Sequence, residues 1–101
     1  MVTDNVTDGY EEVFPLIEYW NPKDKGEKIE GIYSRNYNDK NQKHRFVVAI
    51  GNKEYILPAN MSIRDRMINV SLESKVMVIY DGLNEAVSGK KYQKYRIFLV
   101  K

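Results

Sequence analysis

The chain has 101 residues, of which 43% are hydrophobic and 30% are charged, a composition typical of one soluble globular domain. Because it contains no cysteine and only one histidine, disulfides, thiol nucleophiles and histidine-cluster metal sites are excluded. The formal net charge is +2, but residues 1–30 hold three lysines against eight acidic residues, whereas residues 31–101 hold 13 cations against six. This asymmetry favours an anionic partner for the basic part, although such an excess is also ordinary for a soluble surface.

The first 26 residues predict an acidic N-terminal arm. Residues 1–12 are polar and lack the cationic and apolar segments of a secretory signal, so we expect a cytoplasmic protein, in the host cytoplasm if it is viral. The apolar stretch 13–20 predicts an arm or short turn that packs on the body, since Pro15 and Pro22 oppose a long helix.

Three strands are expected after the arm. Residues 27–35 predict the first strand, in which Gly31 marks a bulge or a sharp bend. A polar loop follows, and residues 44–50 and 53–58 then predict two strands joined as a hairpin by a Gly-Asn turn.

A change of hydrophobic period predicts one short helix over residues 60–70, where Ser62 followed by Asp65 resembles a helix start. Alternation returns in residues 74–82 and 92–101, which predict the last two strands.

The resulting order β-β-β-α-β-β predicts an all-β domain with one short helix. Five strands with a helix between the third and the fourth match the OB-fold, a small closed barrel, and we expect it to span residues 27–101. An SH3-like barrel is the main alternative, but it does not account for the helix.

Catalytic motifs are missing from the sequence. No acid–base pair, nucleophile or metal set has a recognisable arrangement, so we expect no enzymatic activity, no cofactor and no metal. The segment "DNVTDG" resembles the start of a calcium loop, but Val6 and Pro15 occupy positions where oxygen ligands are required.

Basic and aromatic residues instead concentrate where OB barrels bind ligands, on the second and third strands and the two flanking loops. Cations follow a phosphate chain and release its counterions, while tyrosine rings stack on unpaired bases. The predicted nucleic-acid-binding residues are Arg35, Tyr37, Lys43, Arg45, Lys53, Tyr55, Lys90, Lys91, Tyr92 and Lys94.

Several aromatic residues have a structural interpretation as well. Tyr55 is equally consistent with a residue that caps the barrel. The alternation of Tyr80 and Tyr95 with aliphatic residues favours core positions, and Trp20 is better explained as an anchor for the arm than as a stacking platform.

Three segments also resemble small phage-encoded OB-fold proteins. These segments are "YWNPKDKGEKIEGIY", "YILPANMSIRDRM" and "VMVIYDGLNEAVSGKKYQKYRIFLV", and together they cover most of residues 19–100. The family includes single-stranded DNA-binding proteins that protect intermediates of replication and recombination. The resemblance implies that the cationic loop before the last strand, with the face of strands two and three, carries the DNA. Many such binders recruit partners through an acidic C-terminal tail, but the acidic segment of this sequence is N-terminal, so we do not expect recruitment through such a tail.

The expected function is therefore non-enzymatic binding of single-stranded DNA with little sequence preference, in viral DNA replication or recombination. The alternative is an OB-fold protein-interaction module of a viral or replisome assembly. The sequence leaves RNA as a ligand and a homodimer open, and it indicates no membrane partner.

Overall fold

The computed structural model describes residues 16–101. Residues 1–15 of the predicted arm therefore lie outside the described residues, and residues 16–26 lie within them. Six strands and one helix follow in the order β1–β4, α1, β5 and β6. Their bounds are β1 Leu16–Tyr19, β2 Lys28–Asn38, β3 His44–Ile50, β4 Lys53–Ile56, α1 Met61–Met67, β5 Lys75–Glu85 and β6 Lys91–Leu99. Within this part of the chain, no helix has the length and apolar character needed to cross a lipid bilayer.

All six strands belong to one mixed sheet in the order β1-β4-β3-β2-β5-β6. β1 runs parallel to β4, while the other four neighbouring pairs are antiparallel. The predicted β-rich class with one short helix is confirmed. The closed five-stranded barrel is not confirmed, because the sheet is open. To close the barrel, β6 would have to pair with the outer edge of β4, and β1 occupies that edge.

β2 is the strand shared by the two halves of the sheet, since it pairs with β3 along one edge and with β5 along the other. Its Gly31 packs closely against β3, where a Cβ atom would lie 2.5 Å from the carbonyl oxygen of Ala49. The register of β2 against β3 shifts between Tyr33 and Arg35, which identifies a bulge at Ser34. The predicted bulge at Gly31 is therefore misplaced by three residues, and Gly31 instead allows the close approach of β2 to β3.

Helix α1 begins after Asn60, whose side-chain oxygen accepts hydrogen bonds from the backbone N–H groups of Ser62 and Ile63. The expected start at Ser62 is therefore wrong, because an asparagine in extended conformation already caps the first turn. Ile63 and Met67, four residues apart, are the buried positions of the helix.

The core lies between one face of the sheet and α1. Tyr80 and Tyr95 belong to it, which confirms the structural interpretation of these two residues. Trp20 packs on the core and contacts the Tyr95 ring edge-on, with a centroid separation of 6.0 Å, as expected of an anchor. The fully buried side chains are Phe46, Val47, Val48, Leu57, Ile63, Met67, Val76, Val78 and Tyr95.

The start of α1 contacts the edge of β6 that β5 leaves unpaired. The Asn60 amide nitrogen donates to the Gln93 carbonyl oxygen (2.9 Å), and the Tyr95 backbone N–H donates to the Ser62 hydroxyl (3.0 Å). Two helix side chains thus satisfy backbone groups that a neighbouring strand would satisfy in a closed barrel.

Candidate nucleic-acid interface

The β2–β3 hairpin brings three predicted residues onto one face of the sheet. Tyr37 lies directly opposite Arg45, and Arg35 precedes Tyr37 by two positions on the same face. The Arg35 guanidinium lies 5.3 Å from the centre of the Tyr37 ring, and that of Arg45 lies 5.7 Å from the Tyr19 ring. We call Tyr19, Arg35, Tyr37 and Arg45 the hairpin face. Tyr19 was not predicted, because its position depends on the non-local pairing of β1 with β4.

Both arginines of the hairpin face are already in ion pairs. Arg35 contacts Glu54 at 3.2 Å, and Arg45 contacts Asp39 at 3.0 Å. The pKa of Glu54 is lowered chiefly by its hydrogen bond with Arg35. The pKa of Asp39 is lowered first by the backbone N–H of Lys43 and then by the Arg45 side chain. Both carboxylates therefore stay charged at neutral pH and offset the two guanidinium charges.

The structure separates Lys53 and Tyr55 from the hairpin face. Tyr55 pairs with Val48, which points into the core, so Tyr55 lies on the opposite side of the sheet from Arg45. Its ring packs partly against the core, in agreement with the interpretation as a capping residue. Lys53 lies 5.1 Å from the Tyr55 ring centre and forms an ion pair with Glu18 at 3.0 Å.

The other four predicted residues lie on the β5–β6 hairpin, which forms the opposite edge of the sheet. Lys90 precedes β6, and alternation along β6 puts Lys91 on one face and Tyr92 and Lys94 on the other. Tyr92 is 43% exposed. Among residues 16–101, none of these three lysines has a carboxylate within ion-pair distance; the observed pairs are Arg35–Glu54, Arg45–Asp39, Lys53–Glu18 and Lys75–Glu30.

Arg96 and Phe98 extend the Tyr92–Lys94 side of β6, and the Arg96 guanidinium lies 5.0 Å from the Phe98 ring centre. We call Tyr92, Lys94, Arg96 and Phe98 the β6 stripe. The two-residue period of a strand predicts that Lys94, Arg96 and Phe98 share the side opposite Tyr95, Ile97 and Leu99, although Arg96 and Phe98 were not among the ten predicted site residues.

An open cleft of about 690 Å³ separates the end of the β2–β3 hairpin from the start of α1. It contains the predicted residues Tyr37 and Lys43, and we call it the amide cleft because four of its side chains are amides. Its lining residues are Asn36, Tyr37, Asn38, Gln42, Lys43, His44, Ala59, Asn60, Met61 and Arg64.

The ten predicted residues therefore do not gather in one groove. Arg35, Tyr37, Lys43 and Arg45 share the β2–β3 hairpin, Lys53 and Tyr55 lie on the other side of the sheet, and the remaining four lie on the β5–β6 hairpin. The hydrogen bond from Asn60, at the start of α1, to the Gln93 carbonyl oxygen connects one wall of the amide cleft with β6.

No family model, curated protein or solved structure matches the chain. The geometry of the described residues is therefore the basis for assigning a function.

Proposed function

We propose that the protein binds single-stranded DNA without catalysing a reaction and with little sequence preference, in viral replication or recombination. The observation that carries this proposal is the hairpin face, on which the Arg35 guanidinium of β2 lies over the Tyr37 ring and the Arg45 guanidinium of the neighbouring β3 lies over the Tyr19 ring. Unpaired bases stack on such rings, and arginine adds a cation–π contribution.

We also propose an OB-like topology for the sheet. Support comes from the pairings of β2 with β3, β3 with β4, β2 with β5 and β5 with β6, together with a helix between β4 and β5. In this proposal β2 and β3 correspond to the first two barrel strands, so the hairpin face lies close to the ligand surface usual for the fold.

The ion pairs limit the electrostatic part of the binding. The cations of the β2–β3 hairpin and α1 that lack a carboxylate partner among residues 16–101 include Lys40, Lys43 and Arg64. If these three contact phosphates, a plot of log K against log salt concentration has a slope of about −2 for a single strand. A strand that also engages the β5–β6 lysines gives a steeper slope.

Fluorescence titration of the full chain with a 12-nucleotide oligothymidine at several salt concentrations tests the proposal. We expect Tyr37→Leu, which keeps an apolar side chain but removes the ring, to weaken binding about tenfold. Tyr92→Leu is the matched control on the β5–β6 hairpin and is expected to have a smaller effect. Thermal unfolding of each variant verifies that the fold is kept.

Two results would contradict the proposal: absence of salt-dependent binding, or equal affinity for the duplex and the single strand. A larger loss in Tyr92→Leu than in Tyr37→Leu would move the stacking surface from the hairpin face to the β6 stripe. Repeating the titration with an oligouridine ribonucleotide separates DNA from RNA.

A second candidate function, a protein-interaction module, is favoured by β1. This strand lies at one edge of the sheet formed by residues 16–101, and its Leu16 and Ile17 are 60% and 53% exposed within that part of the chain. An exposed apolar edge strand is a common docking site for another strand, either from a partner in a viral or replisome assembly or from a second copy in a homodimer. A stable complex that is lost in Ile17→Asp, together with no oligonucleotide binding, would favour this function.

A further inference from the structure

The amide cleft contains two kinds of polar side chain. The first kind is committed to hydrogen bonds within the protein. The Asn36 side chain bonds to His44 Nε2 (2.9 Å) and donates to the Tyr33 hydroxyl (2.7 Å). Asn60 caps α1 and donates to Gln93. Because these two side chains are already hydrogen-bonded within the protein, they hold the sides of the cleft in place. A ligand in the cleft would therefore be bound by other side chains.

The second kind has no partner within residues 16–101. Asn38 and Gln42 are exposed, and their side-chain amides make no hydrogen bond there, while Lys43 and Arg64 make no ion pair. All four groups line the same cleft, whose lining residues in the described part of the chain include no carboxylate. The cleft is thus a positively charged site with free amides, in contrast to the neutralised hairpin face beside it.

The size of the cleft suits a small polar ligand, since typical ligand sites measure roughly 300–1,000 Å³. His44 contributes an aromatic ring, which is held by stacking on Phe46 at a centroid separation of 4.4 Å. Cations, amides and an aromatic ring in one cleft match the phosphate, the base edge and the base face of a nucleotide.

We infer that the amide cleft binds one unstacked nucleotide of the single strand. Its phosphate lies between Lys43 and Arg64, and its base edge meets the Asn38 and Gln42 amides. An amide offers a donor and an acceptor side by side, the pattern that adenine complements best through N6 and N7. The protein therefore prefers adenine at this one position. The inference rests on the proposed function and adds a base-selective site to it.

The location of the site is tested by NMR titration of the ¹⁵N-labelled full chain with 2′-deoxyadenosine 5′-monophosphate. We expect the side-chain NH₂ signals of Asn38 and Gln42, assigned from Asn38→Ala and Gln42→Ala, to shift on binding. Deoxyadenosine without phosphate is expected to cause smaller shifts at the same concentration, because Lys43 and Arg64 then have no ligand.

The energetic role of the cleft is tested by titration with 12-nucleotide oligodeoxyadenosine and oligothymidine. We expect Arg64→Gln to weaken binding of both about fivefold. The matched control is Arg66→Gln, on the same helix but outside the cleft, with its guanidinium bonded to the Ser62 carbonyl oxygen. The double variant Asn38→Ala/Gln42→Ala is expected to abolish an adenine preference of about threefold.

The outcomes separate this inference from the proposed function. If both oligonucleotides bind equally well and Arg64→Gln behaves like Arg66→Gln, the cleft site is overturned while single-strand binding stands. If mononucleotide shifts map to the β6 stripe instead, the cleft site is also overturned. If neither oligonucleotide binds, the proposed function fails and the inference fails with it.

Discussion

The hairpin face and the β6 stripe both combine cations with aromatic rings, but they differ in whether the cations are paired with carboxylates. On the hairpin face, each arginine lies near a tyrosine and is also paired with a carboxylate. On the β6 stripe, Arg96 lies near Phe98, and neither it nor Lys94 has a carboxylate partner among residues 16–101. Alternating cations and rings in a sequence therefore do not reveal how much charge remains available to a ligand.

The ion pairs also fix geometry. The Asp39 carboxylate accepts the backbone N–H groups of Asn41 and Lys43 as well as the Arg45 side chain, so one acidic residue shapes the loop and orients the guanidinium. Ion pairs that solvent still reaches contribute little to stability, and we attribute to these partly exposed pairs mainly the orientation of the two arginines over their rings. The hairpin face is therefore ordered and nearly neutral, and the β6 stripe is cationic.

The largest expected effect comes from a change in β2, which would disturb both regions. β2 carries part of the hairpin face and pairs with β5, the neighbour of β6. In Gly31→Val the new Cβ would lie 2.5 Å from the Ala49 carbonyl oxygen and 2.7 Å from Val48 Cγ1. We expect a loss of more than about 3 kcal/mol in the free energy of unfolding, measured by urea denaturation. Lys28→Val introduces the same side chain at an exposed position of β2 and should change stability by no more than about 0.5 kcal/mol. Similar losses in the two variants would contradict the close approach of β2 and β3.

A smaller effect concerns Tyr95, where β6 meets Trp20 and α1. Burial, with a contribution from Tyr80, raises the pKa of Tyr95 to about 12, so the folded state holds the phenol proton more tightly than the unfolded state. The contribution of Tyr95 to the free energy of unfolding is therefore fully present below pH 10. It falls by about 2 kcal/mol as the pH rises toward 12.

Urea denaturation between pH 9 and pH 12 measures this loss, and Tyr95→Phe is the matched variant. Burial also raises the pKa of Tyr33, so the variant should keep part of the alkaline destabilisation. If the free energy of unfolding depends on pH in the same way in the wild type and in Tyr95→Phe, ionisation of Tyr95 does not cause the alkaline destabilisation.

The smallest expected effect tests whether the ion pairs of the hairpin face reduce the positive charge that is available to DNA. Asp39→Asn removes the partner of Arg45, so we expect oligothymidine affinity to rise about threefold and the salt slope to steepen by about 0.7. Asp65→Asn causes the same change in net charge on an exposed helix residue that forms no ion pair within residues 16–101, and should leave the slope unchanged. Equal changes in both variants would mean that only net charge matters.

Local patterns predicted most of the secondary structure and part of the candidate site. The tight turn after β3 also determines the β3–β4 register, so the position of Tyr55 opposite Val48 could have been deduced from the sequence. Two features could not be deduced. The strand β1 has four exposed residues without a periodic signal, and its parallel pairing with β4 is non-local. The pairing of Arg35 with Glu54 depends on three strands lying side by side, which no local pattern indicates.

The attachment of β1 has a consequence for the order in which the molecule opens. This four-residue strand is separated along the chain by more than 30 residues from β4, so we expect it to join the sheet after the local β3–β4 hairpin has formed. It buries little apolar surface, so its detachment requires far less free energy than global unfolding. The amide hydrogens that link β1 to β4 should therefore exchange with solvent much earlier than those of β2 and β5, and each such opening frees Tyr19 from Arg45.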